Sequence, residues 1–168
     1  MEKVKIFQRE GIVLHHTCTG ETCSVADIES MHRKKGMACV GYHRLMKRDA
    51  KSNKAYTKEG RNLIYQGAHT YIESLSRAKS DPLAKGDRQY YNKRWIGVAL
   101  IGDYEHNDIN PEYYRNVVKE LAYMMKKFNV KRLRGHRECD ATLCPGKNIN
   151  MNKLRKDVSA VLGYEIGD

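Results

Sequence analysis

Two separated clusters of histidine and cysteine carry the chemistry open to this chain. The first is His15-His16, at the end of the apolar run Gly11 to Leu14. The second is Gly135-His136-Arg137, followed by Cys139 and then Cys144-Pro145-Gly146. Imidazole and thiolate are natural ligands for zinc. About 120 residues separate the clusters, so only the fold can join them. Enzyme sites are commonly assembled in this way from several element ends. Side chains alternate faces along a strand, so His15 and His16 point to opposite sides and only one enters a given site. The spacing leaves three arrangements open. In a closed structural site, His15 or His16 would join His136, Cys139 and Cys144. In an open site, three of these would hold the ion and leave a position for water. In a metal-free site, a cysteine would be the nucleophile and a histidine its base.

The elements that must position these residues follow from periodicity. Val4 and Ile6 alternate with Lys3 and Lys5, which predicts a short edge strand. Gly11 to Leu14 reads as a buried strand and Trp95 to Ile101 as another. Ser24 is placed to cap a helix carrying Val25, Ile28, Met31 and His32 on one face and ending before Gly36. Val40 to Lys47 predicts a second strand, and Leu63 to Tyr65 a short one. Asn110-Pro111-Glu112 has the form of a helix start, and Tyr114, Val117, Val118, Leu121, Met125 and Phe128 keep helical spacing behind it. Lys131 to Leu133 predicts a strand that delivers His136. Leu154, Val158, Val161 and Leu162 mark a last helix stopped by Gly163. Strands alternating with helices indicate an α/β domain, with about three helices flanking one central mixed sheet. The stretch from Thr70 to Arg94 has little periodicity. Six basic residues there face three acidic ones, net +3, and it is expected to be a surface loop beside a substrate groove. A short helix is expected near Glu73 to Lys79.

At 168 residues the chain is expected to be one domain, 1–168, with a full core. The mean hydropathy is −0.72, yet 40% of the residues are hydrophobic and periodic, which excludes a disordered polymer. A net charge of +11 draws polyanions: nucleic acid, anionic lipid or cell-wall polymer. The basic residues are scattered and form no run, so a nucleic-acid partner is not expected. The start lacks the apolar core of a signal peptide, and no stretch is long enough to span a bilayer. The expectation is a product made in the cytoplasm without a signal peptide. Five cysteines cannot all pair internally, which favours thiols and metal ligands, although Cys18 and Cys23 are close enough to bridge under oxidation.

Five short motifs now come together. His15-His16-Thr17, Gly41-Tyr42-His43, Gly67-Ala68-His69, Ile96 to Gly102, and Gly135-His136-Arg137 with Thr142-Leu143-Cys144-Pro145-Gly146 occur in a fixed order. From about Gly11 to the last helix, this order resembles the zinc N-acetylmuramoyl-L-alanine amidases. That family includes bacteriophage endolysins and peptidoglycan recognition proteins. Phe7-Gln8-Arg9-Glu10 is similar to the start of small phage lysozyme-amidases.

The resemblance implies the amidase/peptidoglycan-recognition fold and one Zn2+ held by His15, His136 and Cys144. Cys144 rather than Cys139 matches the family ligand, because it directly precedes Pro-Gly. His16, by alternation, is then a packing residue or one that supports the ligands from behind. Tyr42 matches the catalytic tyrosine. Thr142 sits where one branch of the family has lysine and another threonine, and threonine brings no positive charge to an oxyanion. His69 and Asn92 match family residues near the groove and are expected to bind substrate. Ala99 stands where a cytosolic branch has a catalytic glutamate, so no general base is assigned there. The implied activity is hydrolysis of the amide between N-acetylmuramic acid and L-alanine in peptidoglycan. The implied setting is a monomeric phage endolysin, made in the host cytoplasm and released to the wall. The alternatives are a non-catalytic peptidoglycan-binding module, or an amidase that also binds and inhibits a phage RNA polymerase.

Overall fold

A five-stranded sheet organises the computed structural model, which describes residues 1–5 and 8–168. In chain order the elements are β1 (Gly11–His16), α1 (Val25–Lys34), β2 (Arg44–Arg48), β3 (Ala55–Glu59), α2 (Leu75–Ser80), α3 (Tyr90–Arg94), β4 (Trp95–Leu100), α4 (Pro111–Phe128), β5 (Leu133–Gly135), α5 (His136–Cys139) and α6 (Met151–Leu162). The strand order is β3-β2-β4-β1-β5. The last four run parallel, and β3 pairs antiparallel with β2, so the sheet is mixed as expected.

Strand alternation sorts the two faces. Ile12, Leu14, Ile96, Val98 and Leu100 face α4 and α6, which bury Val117, Leu121, Met125, Leu154 and Val158 against them. Each such side chain contributes roughly 1.5–3 kcal/mol when fully buried. On the opposite face Val13 and Trp95 join Ile72, Ala78, Tyr91 and Cys139. A smaller cluster packs Ile28 of α1 on Val40, Leu45 and Ile101.

Local chemistry sets the helix ends. Ser24 and Asp27 form a reciprocal capping box at the start of α1. Asn110 caps α4 ahead of Pro111, and Asn129 ends it in the left-handed region. Asn150 caps α6, and Gly163 closes it at φ 77°.

Several expected elements differ. The strand predicted from Val40 begins only at Arg44, because Gly41 and Tyr42 are used in a bend that pairs with Ala68 and Arg61. Leu63 to Tyr65 is a turn, with one isolated bridge between Lys3 and Tyr65. Of the predicted amino-terminal strand, Ile6 lies outside the described residues, as does Phe7 of the Phe7-Gln8-Arg9-Glu10 likeness. β3 was hidden because Ala55 to Glu59 is a polar edge strand with no buried residue. The stretch 70–94 carries α2 and α3, and it buries Ile72, Ala78, Ala84 and Tyr91. Those apolar residues share no single period, since they belong to two short helices and to the segments before and between them. Among the described residues no helix is long and apolar enough to cross a membrane. All five cysteines are free.

Candidate metal centre

Register brings the two clusters together. β1 and β5 pair with Leu14 opposite Gly135, so the next residues, His15 and His136, leave neighbouring parallel strands side by side. Their rings lie 4.6 Å apart between centroids. Cys144 arrives on the loop after α5. The Arg137 N–H donates to the Cys144 carbonyl at 2.7 Å, and the Arg137 guanidinium donates to the carbonyls of Gly146 and Ile149. The Thr142 hydroxyl oxygen accepts the Cys144 N–H at 3.2 Å. One donor atom each from His15, His136 and Cys144 then lies within 4.8 Å of the others. A tetrahedral zinc site spaces its donors by roughly 3.5 Å, so a small contraction would close this one around an ion.

The neighbours of His15 indicate which of its nitrogens faces the cluster. Nδ1 is 3.6 Å from Cys144 Sγ. Nε2 is 3.1 Å from His69 Nδ1 and 3.3 Å from Thr70 Oγ1. Nδ1 is therefore the donor on the cysteine side.

The electrostatics suit a cation. His15 is held well below the ordinary histidine pKa, first by burial and then by His136, His69 and His16. Burial lowers His136 to about 4, with Asp140 pulling the other way. Burial pushes the Cys144 thiol up to about 12, partly opposed by the His16 N–H and Arg137. Neutral imidazoles with free lone pairs are what a metal needs, and a bound cation would itself deprotonate the thiol. A metal-free cysteine nucleophile needs the reverse, a depressed thiol pKa.

The four-donor structural arrangement is not formed. Cys139 is buried in the apolar cluster with Trp95, and its thiol donates to the Gly135 carbonyl at 3.6 Å. His16 points to the other face, as alternation requires, and its Nδ1 accepts the Tyr104 N–H at 3.0 Å. A second group of donors, His16, Cys18 and Asp103, also lies within 4.8 Å. There the His16 Nδ1 lone pair is engaged by Tyr104, and Asp103 is engaged by His106 at 2.7 Å. The first group is the better candidate.

Tyr42 stands beside the cluster, its ring 5.1 Å from that of His15. Burial, and then Cys144 and Cys18, raise its pKa, so the hydroxyl stays protonated at neutral pH. His69 and Asn92 are 7% and 4% exposed and offer little surface to a substrate. Asn92 Oδ1 accepts the backbone N–H groups of His69 and Thr70, both at 2.9 Å. Ala99 is fully buried and pairs in register with His15 and Leu45, which leaves room for the histidine ring.

Sequence reasoning did not find three supporting side chains. Thr70 completes the contact with His15. His32 Nδ1 accepts the Gly41 N–H at 2.9 Å, and its ring packs 5.3 Å from that of Tyr42. Arg9 is buried, and its guanidinium donates to the carbonyls of Leu63, Tyr65 and Trp95, tying the loop before His69 to β4. Close packing around His69 itself is marked by Gly67 and Gly97. A Cβ on either would come within 2.5 Å of the His69 ring.

Known proteins resemble this chain along most of its length. The profile of the N-acetylmuramoyl-L-alanine amidase family matches residues 7–147. The endolysin of Escherichia phage T7 is 27% identical over 159 residues, covering 89% of this chain and 90% of that protein. The fold is shared with the Clostridium intestinale endolysin LysCS, at a TM-score of 0.71 and 22% identity, covering 98% of this chain and 90% of the other. It is shared also with Drosophila peptidoglycan recognition protein SD, at a TM-score of 0.66 and 20% identity, covering 91% and 83%. With its family profile spanning both histidine-cysteine clusters, the chain belongs to the N-acetylmuramoyl-L-alanine amidase family.

Proposed function

We propose that the protein is a zinc amidase acting as a phage endolysin, with His15, His136 and Cys144 holding the ion. The bond it hydrolyses is the amide between N-acetylmuramic acid and L-alanine in peptidoglycan. The observation that carries this reading is the convergence of those three donors while Cys139 and His16 turn away. Three ligands of this type are the pattern of an open catalytic site. Zinc bound there would supply Lewis acidity, polarising the scissile carbonyl and acidifying water.

The chain's own residues do the rest. The Cys144 thiol would lose its proton to solvent when the ion binds, and the backbone His16 N–H, 3.4 Å away, would stabilise the sulfur charge. The Tyr42 hydroxyl donates a hydrogen bond to the oxyanion that develops on the substrate. Thr142 Oγ1 already accepts from Cys144, so its own proton is free to be donated towards the same oxyanion. The net charge of +11 draws the protein to an anionic wall.

The test is mass spectrometry of purified sacculi digested with the protein, with and without a chelator. New L-alanine amino termini that disappear with chelator and return with zinc are expected. Cleavage within the glycan strand, or binding to sacculi without release of peptide, overturns the reading.

A further inference from the structure

We infer that His69 is a positioning residue of the metal centre: its Nδ1 accepts a hydrogen bond from the His15 Nε2–H and thereby turns His15 Nδ1 towards the ion. This deepens the proposed function and rests on it. The argument begins at Trp95. A carbonyl oxygen only accepts, so the 3.4 Å contact between His69 Nε2 and the Trp95 carbonyl places a proton on Nε2. A neutral His69 then has only a lone pair at Nδ1. The other groups its ring nitrogens meet are the Thr70 hydroxyl and the His15 ring, and neither is an anion that would hold a second proton on it. The 3.1 Å contact with His15 must therefore be a donation from His15 Nε2. His15 is left with its lone pair on Nδ1, the atom 3.6 Å from Cys144 Sγ. Thr70 Oγ1, 3.0 Å from His69 Nδ1 and 3.3 Å from His15 Nε2, braces the pair.

The surroundings are shaped for this ring. Gly97 of β4 lies under it, and a Cβ there would sit 2.4 Å from His69 Cγ. Gly67 lies beside it, and a Cβ there would sit 2.2 Å from His69 Cδ2. Asn92 fixes the backbone of His69 and Thr70. At 7% exposure the ring has little route to substrate, so its influence passes through His15. A hydrogen-bonded partner of this kind fixes the tautomer and orientation of a ligating histidine, and its loss typically costs 10- to 100-fold in metal affinity.

The test measures zinc affinity by chelator competition, and ligation by long-range proton–nitrogen correlation in the zinc-loaded protein. His69→Ala is expected to weaken zinc about 10- to 100-fold. His69→Asn keeps an acceptor where Nδ1 was and is expected to recover most of that loss. In the wild type, His15 is expected to bind through Nδ1 with Nε2 protonated, a readout that needs no variant to fold. Ligation through Nε2 overturns the inference. So does undiminished affinity in a folded His69→Ala, or a greater loss in Thr70→Val than in His69→Ala. A wild type that binds zinc but shows any of these results leaves the proposed function standing. A wild type that binds no zinc brings down the function and this inference together.

Discussion

Leu14 and Gly135 are register partners across β1 and β5, and the residue after each is a histidine. The pairing of two backbones therefore determines the distance between two candidate ligands. A loop contributes only the third, Cys144. The folded chain gathers the three donors and the unfolded chain does not, so zinc should stabilise the fold by simple linkage. At free zinc 100-fold above the dissociation constant, the gain is about 2.7 kcal/mol. For a chain of this size that is a rise in melting temperature of roughly 5–10 °C. Calorimetry of chelated and zinc-loaded protein measures it. In Cys144→Ser or His136→Ala most of the rise should vanish. A rise that persists in both variants would place the metal elsewhere.

Tyr42 is the neighbour of His15 whose removal should separate chemistry from metal binding. Its hydroxyl is protonated and it is not one of the three donors. Tyr42→Phe is expected to lower turnover by roughly ten- to a thousandfold, the range for loss of an oxyanion donor. Zinc content should stay at one ion per chain. Full activity with zinc retained would reject the role.

How far the sequence foretells this arrangement depends on where its signals are local. The strands at Gly11 and Trp95 were legible as unbroken apolar runs buried throughout, and the helices at Pro111 and Met151 because their apolar residues have a period and their ends carry caps. The opposite orientation of His15 and His16 followed from alternation alone, and the structure shows it. β3 was not legible, since an edge strand reading Ala-Tyr-Thr-Lys-Glu buries nothing. The place of His69 was not legible either. Apart from its neighbour Thr70, its partners are His15, Trp95 and Asn92, and none of these is within twenty residues of it in the chain. A motif can mark such a histidine as belonging near a groove, but only packing reveals that it faces inward.

Gly97 makes that inward packing testable from the other side. In a strand interior, replacing glycine by alanine ordinarily stabilises by roughly 0.5–1 kcal/mol, because glycine loses more freedom on folding. Here the added Cβ would meet the His69 ring at 2.4 Å. The ring cannot retreat easily, since Gly67 closes it in and His43 lies 5.5 Å away between centroids. Gly97→Ala should therefore destabilise rather than stabilise, and should also weaken zinc, measured by urea unfolding and chelator competition. A variant more stable than wild type with unchanged zinc affinity would show that the close approach does not matter.

His43 should make the fold sensitive to acid. It is fully buried, and its Nδ1 accepts the Gly97 N–H at 3.0 Å. Its Nε2 lies 3.1 Å from the Tyr65 carbonyl, to which it donates. Arg9 lies 3.1 Å from the same nitrogen, and Arg61 and Arg44 add to the positive surroundings. Burial, and then these cations, lower its pKa from 6.5 to about 3, with the Tyr65 carbonyl opposing. In the unfolded chain His43 titrates near 6.5, so below that pH the unfolded state binds a proton that the folded state refuses. Its contribution is therefore fully present above pH 6.5 and is lost as the pH falls towards 3. One such proton costs up to about 1.4 kcal/mol of stability per pH unit. His43→Asn keeps an acceptor for Gly97 and cannot take up that proton. Urea unfolding of metal-free protein at pH 7, 6, 5 and 4 should give a shallower fall for the variant than for wild type. Parallel curves over that range would show that His43 does not contribute to the acid sensitivity.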